Sequence, residues 1–235
     1  MTDVAEGRAI VSADEWRRTR IEFMAREKEF TRARDQLSAD RRGLPMTEVR
    51  SDYRFDGDDG SATLLELFDG RDQLLIYHFM LGPGWDEGCP SCSFWADNYN
   101  GTEMHLAARD TTLVAVSSAP LDEIHAYKTR MGWGFPWYSS AGDTFNQDFG
   151  VTFTDEQAAA GDNYNYGTQS FPGNEAPGIS VFLRDGDGVY LTYQTFSRGL
   201  DMLNGAYHML DLTPKGRDES ELPWPMAWLR RHDSY

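Results

Sequence analysis

Two cysteines, Cys89 and Cys92, bracket Pro90 and Ser91, and the chain of 235 residues has no other. Two thiols one helical turn apart can cycle between dithiol and disulfide, or offer two soft ligands to a metal. The pair follows a Gly/Pro loop, Gly82 to Gly88, and precedes a stretch with helical character. A thiol at the start of a helix faces unsatisfied N–H groups and the positive end of the dipole. Both favour the thiolate, so its pKa should fall from about 8.5 towards 7 or below. Cys89 is therefore the expected attacking thiolate, and Cys92, one turn on and more buried, the resolving thiol. Pro90 suits a first helical turn because its missing N–H would be an orphan there. Ser91 can offer its hydroxyl to the thiolate. Asp86 and Glu87 would raise a thiol pKa if they pointed inward, and no neighbour in sequence is cationic. Trp85 is a candidate cover for the thiols. Asp97 and Glu103 are candidate proton relays, although solvated helix residues describe them better.

The alternative chemistry is metal binding. Two thiolates and an imidazole would suit Cu(I) or Zn(II). His78, His105 and His208 are the candidate third ligands. His105 lies 13 residues past Cys92, roughly 20 Å along a continuous helix, and reaches the thiols only if the chain folds back near Asn100-Gly101. Other chemistries lack their motifs. No G-x-S-x-G, Walker loop or G-x-G-x-x-G occurs. The Pro, Thr/Ser, Cys spacing of peroxide-reducing thiols is also absent: Pro83 stands six residues before Cys89, and Asp86 takes the hydroxyl position.

The surrounding pattern must place the pair. Residues 12–42 read as a helix, opened by Ser12 with Glu15 and stopped before Gly43-Leu44-Pro45. Trp16, Phe23, Phe30 and Leu37 recur every seven residues along it. This ridge is either an arm packed on its own domain or the seam of a homodimer. Asp56-Gly57-Asp58-Asp59-Gly60 is a solvated turn. Residues 62–68 and 73–81 read as strands, 89–108 as a helix kinked near Asn100-Gly101, 111–117 as a strand and 120–131 as a helix. Residues 137–140 suit a short edge strand. Asp185-Gly186-Asp187-Gly188 joins two strands, 179–184 and 189–196, in a hairpin. Residues 201–210 close with a helix.

The order β-α-β-α, then a hairpin, then α, predicts an α/β thioredoxin-like fold: a mixed central sheet flanked by helices, with an N-terminal helical arm and a C-terminal extension. The expected division is an arm over 1–60, a thioredoxin-like domain over 61–212 with an insertion at about 141–178, and a tail over 213–235 that packs as a cover. This arrangement places a cis-proline loop opposite the cysteines. Pro177, just before the hairpin, is the candidate, and Pro172 the reserve.

Lys plus Arg total 22 against 38 Asp plus Glu, a net charge of −16. A surface that acidic repels a phosphate backbone and an anionic lipid surface, so neither nucleic acid nor membrane is an expected partner. No window approaches the roughly 20 apolar residues of a membrane span. Residues 1–6 carry neither a basic region nor an apolar run, so no secretory signal is expected there and the expected compartment is the cytoplasm.

The strings YHFMLGPGWDEGCPSCSFWADNYNG (77–101), HLAARDTTLVAVSSAPL (105–121), RMGWGFPWYSS (130–140) and RGLDMLNGAYHMLDLTPKGRDE (198–219), with the helix at the start and LPWPMAW (222–228) near the end, resemble a bacterial and fungal thioredoxin-like family, domain of unknown function 899. The resemblance implies a thioredoxin-like fold and a redox role for Cys89 and Cys92. No established substrate comes with the resemblance; the thiol–disulfide reading of the pair requires no cofactor and takes a small-molecule or protein disulfide or thiol as substrate. The arm, insertion and tail exceed the thioredoxin core and can cover the surface where a protein partner would dock.

Overall fold

A computed structural model describes residues 7–161 and 163–235; residues 1–6, from which no secretory signal was expected, lie outside this range. α1 (Ala13–Arg42) begins where the Ser12 hydroxyl accepts the Glu15 amide at 3.2 Å. Asp14 and Glu15 in its first turn and Arg41 and Arg42 in its last suit the helix dipole. No residue of α1 is buried. The ridge of Trp16, Phe23, Phe30 and Leu37 stays exposed, so the arm does not pack on its own domain. Its far end touches the body where Arg41 stacks over Tyr193, 4.8 Å from the ring centre.

β1 (Thr47–Val49), β2 (Arg54–Gly57) and β3 (Gly60–Thr63) follow. These strands belong to the sheet, which therefore reaches into the segment that spacing assigned to the arm. The expected strand over 62–68 ends early. Glu66 caps Thr63, accepting its amide at 2.6 Å and its hydroxyl at 2.8 Å, and the chain turns into a 3-10 helix, Glu66–Phe68.

The core is built from β4 (Gln73–His78), α2 (Pro90–Ala96), α3 (Glu103–Ala107), β5 (Thr111–Ser117), α4 (Leu121–Met131) and β6 (Trp137–Ser139). β4 pairs in parallel with β5, and β5 with β6. β6 is not an edge strand, because the β2–β3 hairpin bonds to its far side. Two short helices, α5 (Phe145–Asp148) and α6 (Asp155–Ala160), lie in the insertion. β7 (Gly178–Asp185) and β8 (Gly188–Phe196) form the expected hairpin, and α7 (Gly205–Leu210) follows a 3-10 turn at Ser197–Leu203. The sheet runs β1-β8-β7-β4-β5-β6-β2-β3. β4, the strand that feeds the cysteines, is thus central, between antiparallel β7 and parallel β5.

Both faces of β4 are covered, as a near-continuous apolar strand requires. Leu74 and Ile76 pack with Phe145, Phe149 and Phe182 on one side. Tyr77 packs with Cys92, Trp95, Tyr99 and a cluster of Trp and Phe side chains on the other. Among the described residues no helix is long and apolar enough to cross a membrane.

Candidate redox site

The loop from β4 delivers Cys89 to the start of α2, where it is the N-cap residue with extended backbone (φ −56°, ψ 131°) and Pro90 occupies the first turn. The Cys89 amide donates to the Met80 carbonyl at 3.1 Å, tying the pair back to the segment that leaves β4. Gly88 must be small, since a Cβ there would lie 2.5 Å from the Phe79 ring and 2.7 Å from Tyr127. The Ser93 hydroxyl donates to the Cys89 carbonyl at 2.8 Å and pairs with the Tyr127 hydroxyl at 2.8 Å. The C-terminal tail adds a clamp: Arg231 donates to the Gly88 carbonyl at 2.6 and 3.0 Å.

The two thiols are free and unequal: Cys89 is partly exposed, Cys92 buried. The Cys89 pKa falls to about 6, chiefly through a hydrogen bond from Cys92. The backbone amides of Cys92 and Ser91 and the Ser91 hydroxyl add to that against burial. Cys92 moves well above its ordinary value because burial removes it from water and the Cys89 sulfur beside it disfavours a second charge. One sulfur is thus poised as thiolate and the other held as thiol. The Tyr77 hydroxyl donates to the Cys92 carbonyl at 3.2 Å and lies close enough to lower the Cys92 pKa in part. Asp86 and Glu87 do not point inward. Asp86 is exposed, and Glu87 pairs with Arg130 and Arg231, each at 2.8 Å.

Both sulfurs line a cleft of about 580 Å³ together with Ser91, Tyr77, Met80, Trp95 and Leu200. The insertion contributes Tyr164, Phe171 and Pro177, and the tail contributes Met226. Pro177 lines the same cleft as the cysteines, but the bond before it is trans. The Ala176 amide is committed to the Val151 carbonyl at 2.8 Å and the chain runs straight on into β7, a path that the ordinary isomer serves. Tyr164 anchors this loop by donating to the Pro177 carbonyl and accepting the Ser197 amide, at 2.5 and 2.8 Å. Pro172 is exposed and does not line the cleft.

Trp85 does not cover the thiols. It is 39% exposed and lines a separate depression with Glu123 and Arg130, because its loop turns back at Gly82. The imidazoles do not gather at the sulfurs. His78 is the last residue of β4 and points to the opposite face, stacked on Phe145 and Phe149 with Nε2 2.8 Å from the Ser180 hydroxyl. Burial lowers its pKa to about 3. His105 and His208 are exposed on α3 and α7. The helix breaks near Asn100-Gly101, with turns between α2 and α3, yet among the described residues no three His, Cys, Asp or Glu side chains form a metal-sized group. Asp97 is engaged elsewhere, accepting from the Trp133 indole at 2.9 Å and pairing with His232 at 2.7 Å.

Spacing alone did not single out Tyr77, Tyr164, Phe171, Arg231 or Met226. Tyr77 lies on β4 itself, whereas the other four reach the site from distant segments, with no local signal beyond the aromatic side chains of Tyr164 and Phe171.

A mixed sheet with a central parallel strand, an antiparallel hairpin, helices on its faces and a Cys-x-x-Cys pair capping the helix after that strand defines a thioredoxin-like protein. The chain belongs to the family described as bacterial protein of unknown function (DUF899), whose profile matches residues 5–235. No curated protein matches it. Similar solved structures include the peroxidoxin BcpB from Mycobacterium tuberculosis, at 14% identity and a TM-score of 0.49 over 68% of this chain and 93% of that one. Peroxiredoxin Q from Xanthomonas campestris follows at 14% identity and 0.46, over 69% and 95%. A PrxQ mutant from Xylella fastidiosa stands at 10% and 0.45, over 69% and 94%.

Proposed function

We propose that this chain is a cytoplasmic thiol–disulfide oxidoreductase. The observation that carries the reading is the placement of Cys89 at the N-terminus of α2, open to a cleft, with buried Cys92 one turn behind it. The Cys89 thiolate attacks a disulfide, forms a mixed disulfide and releases one thiol. Cys92 then gives up its proton and attacks the Cys89 sulfur, releasing the second thiol and closing the internal disulfide. Protein and substrate exchange two electrons, and an external dithiol resets the pair.

The homodimer belongs to the same reading. It is supported by the unburied ridge of Trp16, Phe23, Phe30 and Leu37 on a helix with no buried residue, which meets the body where Arg41 stacks over Tyr193.

The direct test is a thiol titration of the purified chain in glutathione buffers. A single two-electron transition, with Cys89 and Cys92 joined in the oxidised form, is expected between about −300 and −120 mV. No internal disulfide anywhere in that range would falsify the reading.

A further inference from the structure

The cleft in front of Cys89 is walled by segments from outside the central sheet. The insertion supplies Phe171 and Tyr164, and the turn after β8 supplies Leu200, which is 3% exposed. The tail supplies Met226, whose backbone takes a left-handed φ of +72°. That strained residue is pinned. Its amide donates to Glu219 Oε1 at 3.1 Å, and the Tyr207 hydroxyl and Trp228 indole donate to the same oxygen, each at 2.7 Å.

Two charged side chains, Arg198 and Asp201, line the cleft, and they are paired with each other. Asp201 meets Arg198 and Arg217, each at 2.9 Å, and the Arg198 side chain is 82% exposed. The interior therefore offers apolar and aromatic surface at a volume within the range of small-ligand sites, roughly 300–1,000 Å³. A charged group drawn inside would lose its hydration and would have to compete for Arg198 and Asp201, which are already engaged in ion pairs. A folded protein would have to bring its disulfide past the insertion and tail to a sulfur that is itself only partly exposed.

The geometry points to a low-molecular-weight disulfide with uncharged, apolar substituents as the oxidised substrate of this site. The inference rests on the exchange reading above and narrows it. Cys89 attacks one sulfur of R–S–S–R, that S–S bond breaks, and the departing RS⁻ takes a proton. Cys92 displaces the second RSH. Two protein thiols and one disulfide become one protein disulfide and two small thiols.

The test is single-turnover oxidation of the reduced full-length chain by dimethyl, diethyl and dipropyl disulfide, by glutathione disulfide and by insulin. Each rate is divided by the rate of the same disulfide with free dithiothreitol, which removes intrinsic reactivity. The normalised rate is expected to rise roughly fourfold for each methylene buried. Glutathione disulfide and insulin are expected at least tenfold below dipropyl disulfide. Phe171→Asp and, on a different segment, Met226→Asp should each flatten the alkyl series. A flat series in the parent chain, or glutathione disulfide or insulin reacting as fast as dipropyl disulfide, overturns the inference while exchange itself stands. Failure of every disulfide to oxidise the Cys89–Cys92 pair overturns the exchange reading instead.

Discussion

Tyr77 and His78 are neighbours on β4, both almost wholly buried and both polar, yet they serve opposite sides of the sheet. Tyr77 reaches the Cys92 carbonyl and stands edge-on to Tyr99 at 5.1 Å. His78 stacks on phenylalanines beneath the insertion and meets Ser180. One face is organised around the cysteine pair, the other around a buried neutral imidazole. A single step along a strand decides which, since successive side chains leave by opposite faces.

The sharpest way to break this contrast is at the sulfurs. Cys89→Ser is expected to abolish disulfide exchange, whereas Cys92→Ser should leave the first attack intact and trap a stable mixed disulfide, read by intact-mass spectrometry. Residual turnover in Cys89→Ser would assign the chemistry to another face.

The next effect belongs to the far face and is read in acid. The folded pKa of His78 is about 3 against 6.5 for the free side chain, so the unfolded chain binds the extra proton between those values. The stability this gives is complete above pH 6.5 and is lost as pH falls through 3, about 2 kcal/mol by pH 5 and about 5 kcal/mol overall. Glu175 shifts the parent chain and His78→Leu alike over this range, so chemical denaturation of the two at pH 7 and pH 5 should show the smaller loss as the difference between them.

Glu175 carries the opposite sign. Burial raises it from 4.5 to about 7, against hydrogen bonds from Ser118 at 2.6 Å and Thr152 at 2.9 Å. The folded chain therefore holds that proton more tightly. The corresponding stability is complete below pH 4.5 and is lost as pH rises through 7, about 3 kcal/mol in all. Glu175→Gln should remove this alkaline loss and raise the melting temperature at pH 8. An unchanged alkaline slope would count against the assignment.

Tyr77→Phe is expected to cost about 1 kcal/mol for the lost hydrogen bond. It should also raise the Cys92 pKa further and lengthen the life of the mixed disulfide, leaving the His78 signature in place. The smallest effect on stability is expected on α1, which packs on neither face. Phe23→Glu with Phe30→Glu should leave the unfolding midpoint nearly unchanged while converting a dimer to a monomer in sedimentation. A monomeric parent chain would remove the seam from the reading.

Much of this was legible in the chain. β4, β5, the β7–β8 hairpin and the strand-to-helix placement of Cys89 follow from local signals: apolar runs, Asp-Gly turns, and a proline in a first helical turn. The side of the sheet that His78 faces was not, because a strand buried on both faces reads as an unbroken apolar run and hides its own alternation. Nor was the trans bond at Pro177, which depends on where the Ala176 amide finds its acceptor. Trp85 looked close to the thiols in sequence and turns away because the loop doubles back at Gly82.

The sequence by itself determined the local stage: two thiols, one helical turn apart, at the mouth of a helix that follows a central strand. The tertiary structure alone decided what else stands around them. Phe171, Leu200, Met226 and Arg231 come from segments about 80 to 140 residues away, and no local pattern encodes such a meeting. Helix caps and turns are settled by neighbours in the chain, whereas the walls of a cleft are settled by which distant apolar surfaces bury each other most completely.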